Sequence, residues 1–134
     1  METFEILEKY KKVAIVGISD KPDRPSNEVA RYLMDNSDLK LYFVNPLLTQ
    51  VLGQPVYPSL LEIPEKVEIV DIFRKASEIP ALVPDAIKIG AKVFWMQLGI
   101  ENAEARAAAQ KAGIEVVENK CTAIEWQKYL RSKK

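Results

Sequence analysis

Histidine is absent from this 134-residue chain, and cysteine occurs once, as Cys121. Those two scarcities exclude zinc sites built from Cys and His, Ser-His-Asp triads, Cys-His dyads and any internal disulfide framework. No metal-binding set and no catalytic constellation is assigned. Net charge is missing too, because 19 basic residues balance 19 acidic ones. Nucleic-acid and membrane-surface binders normally carry a basic excess, so neither partner is expected. The weak basic cluster Lys128, Arg131, Lys133 and Lys134 reads as a solvated, frayed tail. No apolar run is long enough to cross a bilayer and no signal peptide is seen, so a cytoplasmic location is expected.

Glycine is sparse as well, at 5 residues. The dinucleotide fingerprint G-x-G-x-x-G needs three in one loop, and the first loop here, Gly17-Ile-Ser-Asp-Lys-Pro22, has one. The second strand ends in Asn45-Pro46 where an NAD site would place an acid. No G-x-x-x-x-G-K-[ST] occurs, and the Ser/Thr-rich first loop of a flavodoxin-like FMN site is missing.

What is present is organised around Val13–Ser26. Val13, Ile15, Val16 and Ile18 have the pattern of a strand covered on both faces. Gly17 ends it, and a polar loop with Ser19 and Arg24 leads to a helix, capped by Ser26, whose free N–H groups favour an anion. Strand and helix then alternate. Strands are expected at Lys40–Val44, Val67–Ile72, Val93–Met96 and Ile114–Val117, with Leu47 to Tyr57 as a connection. A leading helix over residues 3–10, capped by Thr3, is expected on the sheet edge with Phe4, Leu7 and Tyr10 on one side. Ser59-Leu-Leu-Glu62 and Thr122-Ala-Ile-Glu125 have capping-box spacing, and Ala105, Ala108, Ala109 and Ala112 mark the buried side of a helix. Trp95, Trp126 and Tyr129 read as core or interface residues rather than stacking platforms. The economical fold is α/β: one Rossmann-like, doubly wound, mostly parallel five-stranded sheet with helices on both faces, and one domain over residues 1–134. Ligands on such sheets bind beyond the carboxyl ends of the strands, where the polar strand exits gather.

Several motifs carry a resemblance: Gly17-Ile-Ser19, Arg24-Pro-Ser26, Val44-Asn-Pro46, Tyr57-Pro-Ser-Leu60, Val70-Asp-Ile-Phe-Arg74, Trp95-Met-Gln97, Gly99-Ile100 and the late Cys121. From Val13 to Leu130 the chain resembles the small single-domain CoA-binding proteins, which are similar in fold to the nucleotide-binding part of the succinyl-CoA synthetase α subunit. It departs from them where the family often has Asp-Arg-Cys and then Glu-His. Here stand Asn119-Lys120-Cys121 and Glu125-Trp126, so no role that needs that histidine is transferred.

The resemblance implies coenzyme A or an acyl-CoA as the small-molecule ligand, at Gly17, Ile18, Ser19, Arg24, Ser26, Asn45, Pro46, Phe73, Arg74, Gln97, Gly99 and Cys121. In that arrangement Ser19 and neighbouring N–H groups hold the pyrophosphate, and Arg24 adds a planar donor fork. Asn45, Pro46, Ile72 and Phe73 border the adenosine, and Gln97 and Gly99 lie toward the pantetheine. Plainer roles stand beside these: Arg24 paired with Asp20 or Asp23, Ser26 as a cap, Asn45 bonded to its own turn, Arg74 paired with Asp71 or Glu78. Cys121 is either a small buried hydrophobe or a thiol open to disulfide exchange with CoA. The expected function is CoA binding without catalysis. An enzyme using Cys121, Glu118 or Asp71, a nucleotide- or redox-responsive interaction module, and self-association all stay open.

Overall fold

The computed structural model describes residues 1–133; Lys134, the last member of the basic cluster, lies outside the described residues. Seven strands form the sheet: β1 (Lys12–Val16), β2 (Lys40–Val44), β3 (Gln50–Val51), β4 (Gln54–Tyr57), β5 (Ile69–Ile72), β6 (Val93–Met96) and β7 (Glu115–Val117). Their order is β3-β4-β2-β1-β5-β6-β7, and every pairing is parallel except the β3–β4 hairpin. The five expected strands are all there. The other two come from the stretch read as a connection, where Leu52 (φ 52°) and Gly53 (φ 75°) turn the chain back on itself. Such a turn needs two left-handed residues in succession, and Leu at the first hides that signal. β2 and β5 flank β1, so the topology reverses at the exit of β1, where an open α/β sheet places its ligand crevice.

Alternation along each strand feeds two cores. Val13 and Ile15 join Leu41, Phe43, Ile69, Val93 and Trp95 in one; Ala14 and Val16 join Tyr42, Val44, Val70, Ile72, Phe94 and Met96 in the other. The first is covered by α1 (Thr3–Lys9), α2 (Pro25–Asn36) and α5 (Thr122–Ser132), the second by α3 (Val83–Lys88) and α4 (Ala103–Lys111). Both tryptophans are buried in the first core, with their indole N–H groups donating to Lys120 O and Asn36 O, and Tyr129 is buried beside Trp126. On α4 only Ala105 and Ala109 are buried; Ala108 and Ala112, which were expected inside, face solvent.

Three helix starts differ from their expected caps. The first helix packs on α5 rather than on the sheet edge, burying Ile6 and Leu7 and leaving Phe4 exposed. Glu2 is its cap residue, and the Thr3 hydroxyl donates instead to Glu125 Oε1 at 2.6 Å. α2 begins at Pro25, whose fixed φ and missing N–H suit the first helical position, so Arg24 rather than Ser26 is its cap. α5 begins after Cys121, and the Thr122 hydroxyl points down into the sheet. Lys128, Arg131 and Lys133 are not a frayed tail: α5 runs to Ser132, with Lys128 paired to Glu125 and Lys133 to Glu8.

The exit of β1 is the tightest point. Gly17 has φ 91°, and a Cβ there would stand 2.5 Å from Phe73 O and 2.9 Å from Arg74 Cδ. The first of those contacts is backbone, which cannot swing away. Gly17→Ala is therefore expected to lower the unfolding free energy by roughly 1–3 kcal/mol, through the clash with Phe73 O added to strain at a left-handed position. Gly53→Ala is the comparator, since Gly53 has a similar φ with nothing within 4 Å. Urea midpoints check this; equal shifts for the two variants would show that the close approach to Phe73 carries no cost.

Candidate functional site

A cleft of about 520 Å³ opens at the carboxyl ends of β1, β5 and β6. The β1–α2 loop contributes Gly17, Ser19 and Arg24, the first turn of α2 contributes Ser26, the exit of β5 contributes Phe73 and Arg74, and the exit of β6 contributes Gln97. Cys121, the cap of α5, completes the wall. These eight of the expected site residues converge because each parallel strand delivers its polar exit to the same rim. Four further lining residues were not expected: Lys21, Pro25, Leu98 and Ile100. Lys21 was findable, since it sits in the same loop three positions before Arg24. Leu98 and Ile100 look like ordinary apolar residues in the sequence.

The other four expected residues are not in this cleft. Ile18 is fully buried in the first core. Asn45 is a clamp: its amide donates to Ile18 O at 2.8 Å and its carbonyl accepts from Leu47 N at 2.8 Å, which engages both ends. Pro46 lies in a second cleft of about 380 Å³ that shares Gly17 and Arg74 with the first; Leu60, Leu82, Glu78 and Asp85 also line it. Gly99 is held by Asn119, whose carbonyl accepts from Gly99 N at 2.6 Å.

The first loop is more closed than a free anion nest. Gly17 N and Ile18 N both donate to Val44 O, Ser19 N donates to Ser26 Oγ at 3.0 Å, and Lys21 N donates to Ser19 Oγ at 3.1 Å. Ser19 O accepts from Asn27 Nδ2 at 2.9 Å. The expected use of these amides for a pyrophosphate is therefore corrected: they build the loop. What faces the cleft is side-chain charge. Lys21 and Arg24 are exposed and, among the described residues, make no ion pair, so the Asp20 and Asp23 pairings are not formed. Arg74 also lines the cleft and pairs with Glu78 at 2.6 Å, which holds that carboxyl below its usual range. Glu118 is engaged elsewhere, by Arg106 and by the backbone of Asn102. No carboxylate lines the first cleft. Among the described residues no three His, Cys, Asp or Glu side chains are placed to hold a metal ion, and no helix is long and apolar enough to cross a membrane.

Beneath the floor lies Asp71, fully buried on β5 at a position whose neighbours on the same face, Ile15 and Trp95, are apolar. Its oxygens accept from Gln97 Nε2 at 2.6 Å and Thr122 Oγ1 at 3.0 Å. Burial without a cation pushes its carboxyl up to about 7, against the two hydrogen bonds that hold it down.

The chain matches the family described as "CoA binding domain" over residues 11–127. It is 34% identical to the protein YneT of Bacillus subtilis over 123 residues, covering 92% of this chain and 90% of that one. It is 32% identical to acetate–CoA ligase [ADP-forming] I of Archaeoglobus fulgidus over 121 residues, which are 83% of this chain but only 18% of the ligase. A solved structure of a protein from Pyrococcus horikoshii superposes with a TM-score of 0.90 at 45% identity, covering 96% of this chain and 89% of that one.

Asp71 makes stability depend on pH in a defined direction. A carboxyl raised from 3.8 to about 7 binds a proton in the folded state that the unfolded chain has already released. Its contribution is thus fully present below about pH 4 and is lost as pH rises through 7, on the order of 4 kcal/mol in all. The lowered carboxyls Glu65 and Glu78 act in the opposite sense, but only below their usual value of 4.5. Asp71→Asn is expected to flatten the fall in urea midpoint between pH 5 and 7.5; an unchanged slope in the variant would assign that fall to another group.

Proposed function

We propose, from the premise that this chain belongs to the CoA-binding domain family, that it binds coenzyme A or an acyl-CoA in the cleft at the exit of β1. The observation that carries this reading is the charge of the cleft. In a chain of zero net charge, Lys21, Arg24 and Arg74 line one cavity and no carboxylate joins them. Coenzyme A brings a pyrophosphate and a ribose phosphate, and two cations without an ion pair among the described residues, beside a third shared with Glu78, match such a ligand better than they match NAD.

With the loop amides engaged, the phosphates fall to side chains. Arg24 offers a planar donor fork with no side-chain partner among the described residues, and Lys21 a compact point charge on a flexible stem. The hydroxyl protons of Ser19 and Ser26 and the backbone N–H of Ser26 in the first turn of α2 lie at the same end. The neighbouring cleft, apolar at Pro46, Pro58 and Leu60 and acidic at Glu78 and Asp85, suits an uncharged ring rather than a phosphate. We assign binding rather than turnover, as a carrier, sensor or partner of an enzyme in the cytoplasm, and transfer nothing of the ligase's reaction. The lone cysteine fits that compartment.

Calorimetric titration with CoA beside NAD, FMN and ATP tests this. CoA is expected to bind most tightly, with affinity falling as salt rises. Arg24→Ala is expected to weaken CoA binding about five- to twentyfold, the effect of losing a charge-assisted hydrogen bond. A variant that binds as tightly as wild type would remove Arg24 from the site, and preference for NAD or FMN would overturn the reading.

A further inference from the structure

Asp71, Gln97 and Thr122 close a ring of three buried hydrogen bonds under the cleft. Gln97 Nε2 donates to Asp71 Oδ1 at 2.6 Å and to Thr122 Oγ1 at 3.0 Å, and Thr122 Oγ1 donates to Asp71 Oδ2 at 3.0 Å. An ionised carboxylate only accepts, so the Gln97 amide must turn its NH2 inward, and both its hydrogens are used. One strong acceptor is left over, Gln97 Oε1, which takes no hydrogen from any of the described residues. Gln97 is only 3% exposed, yet Oε1 is not sealed: among the described residues the sole fully enclosed side-chain polar atom without a partner is the Tyr42 hydroxyl. Gln97 lines the first cleft, so its free carbonyl opens there. A nearly buried acceptor without a donor is unfavourable until something fills it.

The surroundings select the donor. Phe73, Leu98 and Ile100 line the same cleft, so the segment that reaches Gln97 should be uncharged and partly apolar. Phosphate oxygens give no hydrogen at neutral pH and match the cations instead. The pantetheine arm of coenzyme A is an uncharged chain with two amide N–H groups. Resting on the CoA reading of the cleft, we infer that Gln97 Oε1 accepts a hydrogen bond from a pantetheine amide N–H, and that Asp71 is the positioning residue that holds Gln97 in this orientation.

Asp71 can also reverse that orientation. Once protonated it becomes a donor toward Gln97 Oε1, and a half-turn of the amide then presents NH2, the wrong polarity, to the cleft. The side chains beside Asp71 are Ile15 of β1, Trp95 of β6, Gln97 and Thr122, none of them titratable. Titratable groups on the adjoining segments are directed elsewhere: Cys121 to the cleft wall, Glu125 to Thr3 and Lys128, and Arg74 to Glu78. No charged group contributes to the acidity of Asp71, and its titration near neutral comes from burial.

The test titrates wild type and Asp71→Asn with CoA, acetyl-CoA and adenosine 3′,5′-bisphosphate from pH 5.5 to 8.5. The ratio of wild-type to variant affinity cancels ionisation of the ligand. That ratio is expected to rise about tenfold with pH for CoA and acetyl-CoA, and to stay flat for the bisphosphate, which lacks the arm. A flat ratio for all three overturns the inference, and so does an equal rise for the bisphosphate. A rise with CoA but not acetyl-CoA moves the donor to the thiol and overturns the amide assignment. In wild type alone, the NMR signals of the Gln97 side-chain amide are expected to titrate near neutral pH, and a static signal overturns the role of Asp71 even should the variant fail to fold. Folded wild type that binds none of the three ligands removes the CoA reading itself, a result distinct from binding without a pH-dependent ratio.

Discussion

The strand exits of this sheet are fastened to one another within three residues of the strand ends. Gly17 N donates to Val44 O, Phe73 N to Val16 O, Gln97 N to Ile72 O, Asn45 N to Tyr57 O and Lys120 N to Met96 O. Each exit loop therefore starts from a position set by its neighbour's last carbonyl, and the backbone groups that would otherwise be unpaired at the rim are satisfied. Gly17 is the point where this fastening is closest, because only a residue without a side chain lets the β1 exit lie against the Phe73 carbonyl. The cleft is the space left above that fastening, and the side chains that line it follow from the register.

Charge is distributed in keeping with that arrangement. At the amino ends of the strands, Lys12 and Lys40 both reach Glu65, and the Glu65 carboxyl is held down at about 2 by the nearby Tyr42 hydroxyl and by its hydrogen bonds to Lys40 and Lys12. These groups are exposed, and pairs of that kind contribute little to stability. At the carboxyl ends the pattern reverses: among the described residues Lys21 and Arg24 make no ion pair, Arg74 shares the Glu78 carboxylate, and Asp71 is buried beneath the floor. A protein selected for stability alone has no reason to leave two cations beside one another in a concave site, or to place a carboxylate among Ile15, Trp95 and Thr122. Both features cost stability in the free protein, and both concentrate at one cleft.

The sequence was most legible where a pattern repeats. Alternating apolar strands, the helices between them and the single glycine at the first turn identified the parallel sheet and the rim, and eight expected residues meet in one cavity. It was least legible where one side chain chooses among several equally near partners. Ser26 and Thr122 both read as caps, since a hydroxyl before an apolar helical stripe normally caps; instead Ser26 closes the first loop and Thr122 serves Asp71. Asn45 read as a ligand contact and is a loop clamp. The β3–β4 hairpin was hidden because Leu52 occupies a left-handed position that its residue type disfavours.

The sequence by itself determined the class of fold, the end of the sheet at which a ligand would sit, and the exclusion of histidine chemistry, because periodicity, composition and glycine placement are local or summed properties. Only the tertiary structure decided which polar groups remain unengaged. Gln97 is one of several polar residues at strand exits until Asp71, 26 positions earlier, and Thr122, 25 later, are seen to occupy both of its amide hydrogens and leave its carbonyl free. Hydrogen-bond saturation is a property of neighbours in space, and the parallel crossovers bring those neighbours from distant parts of the chain.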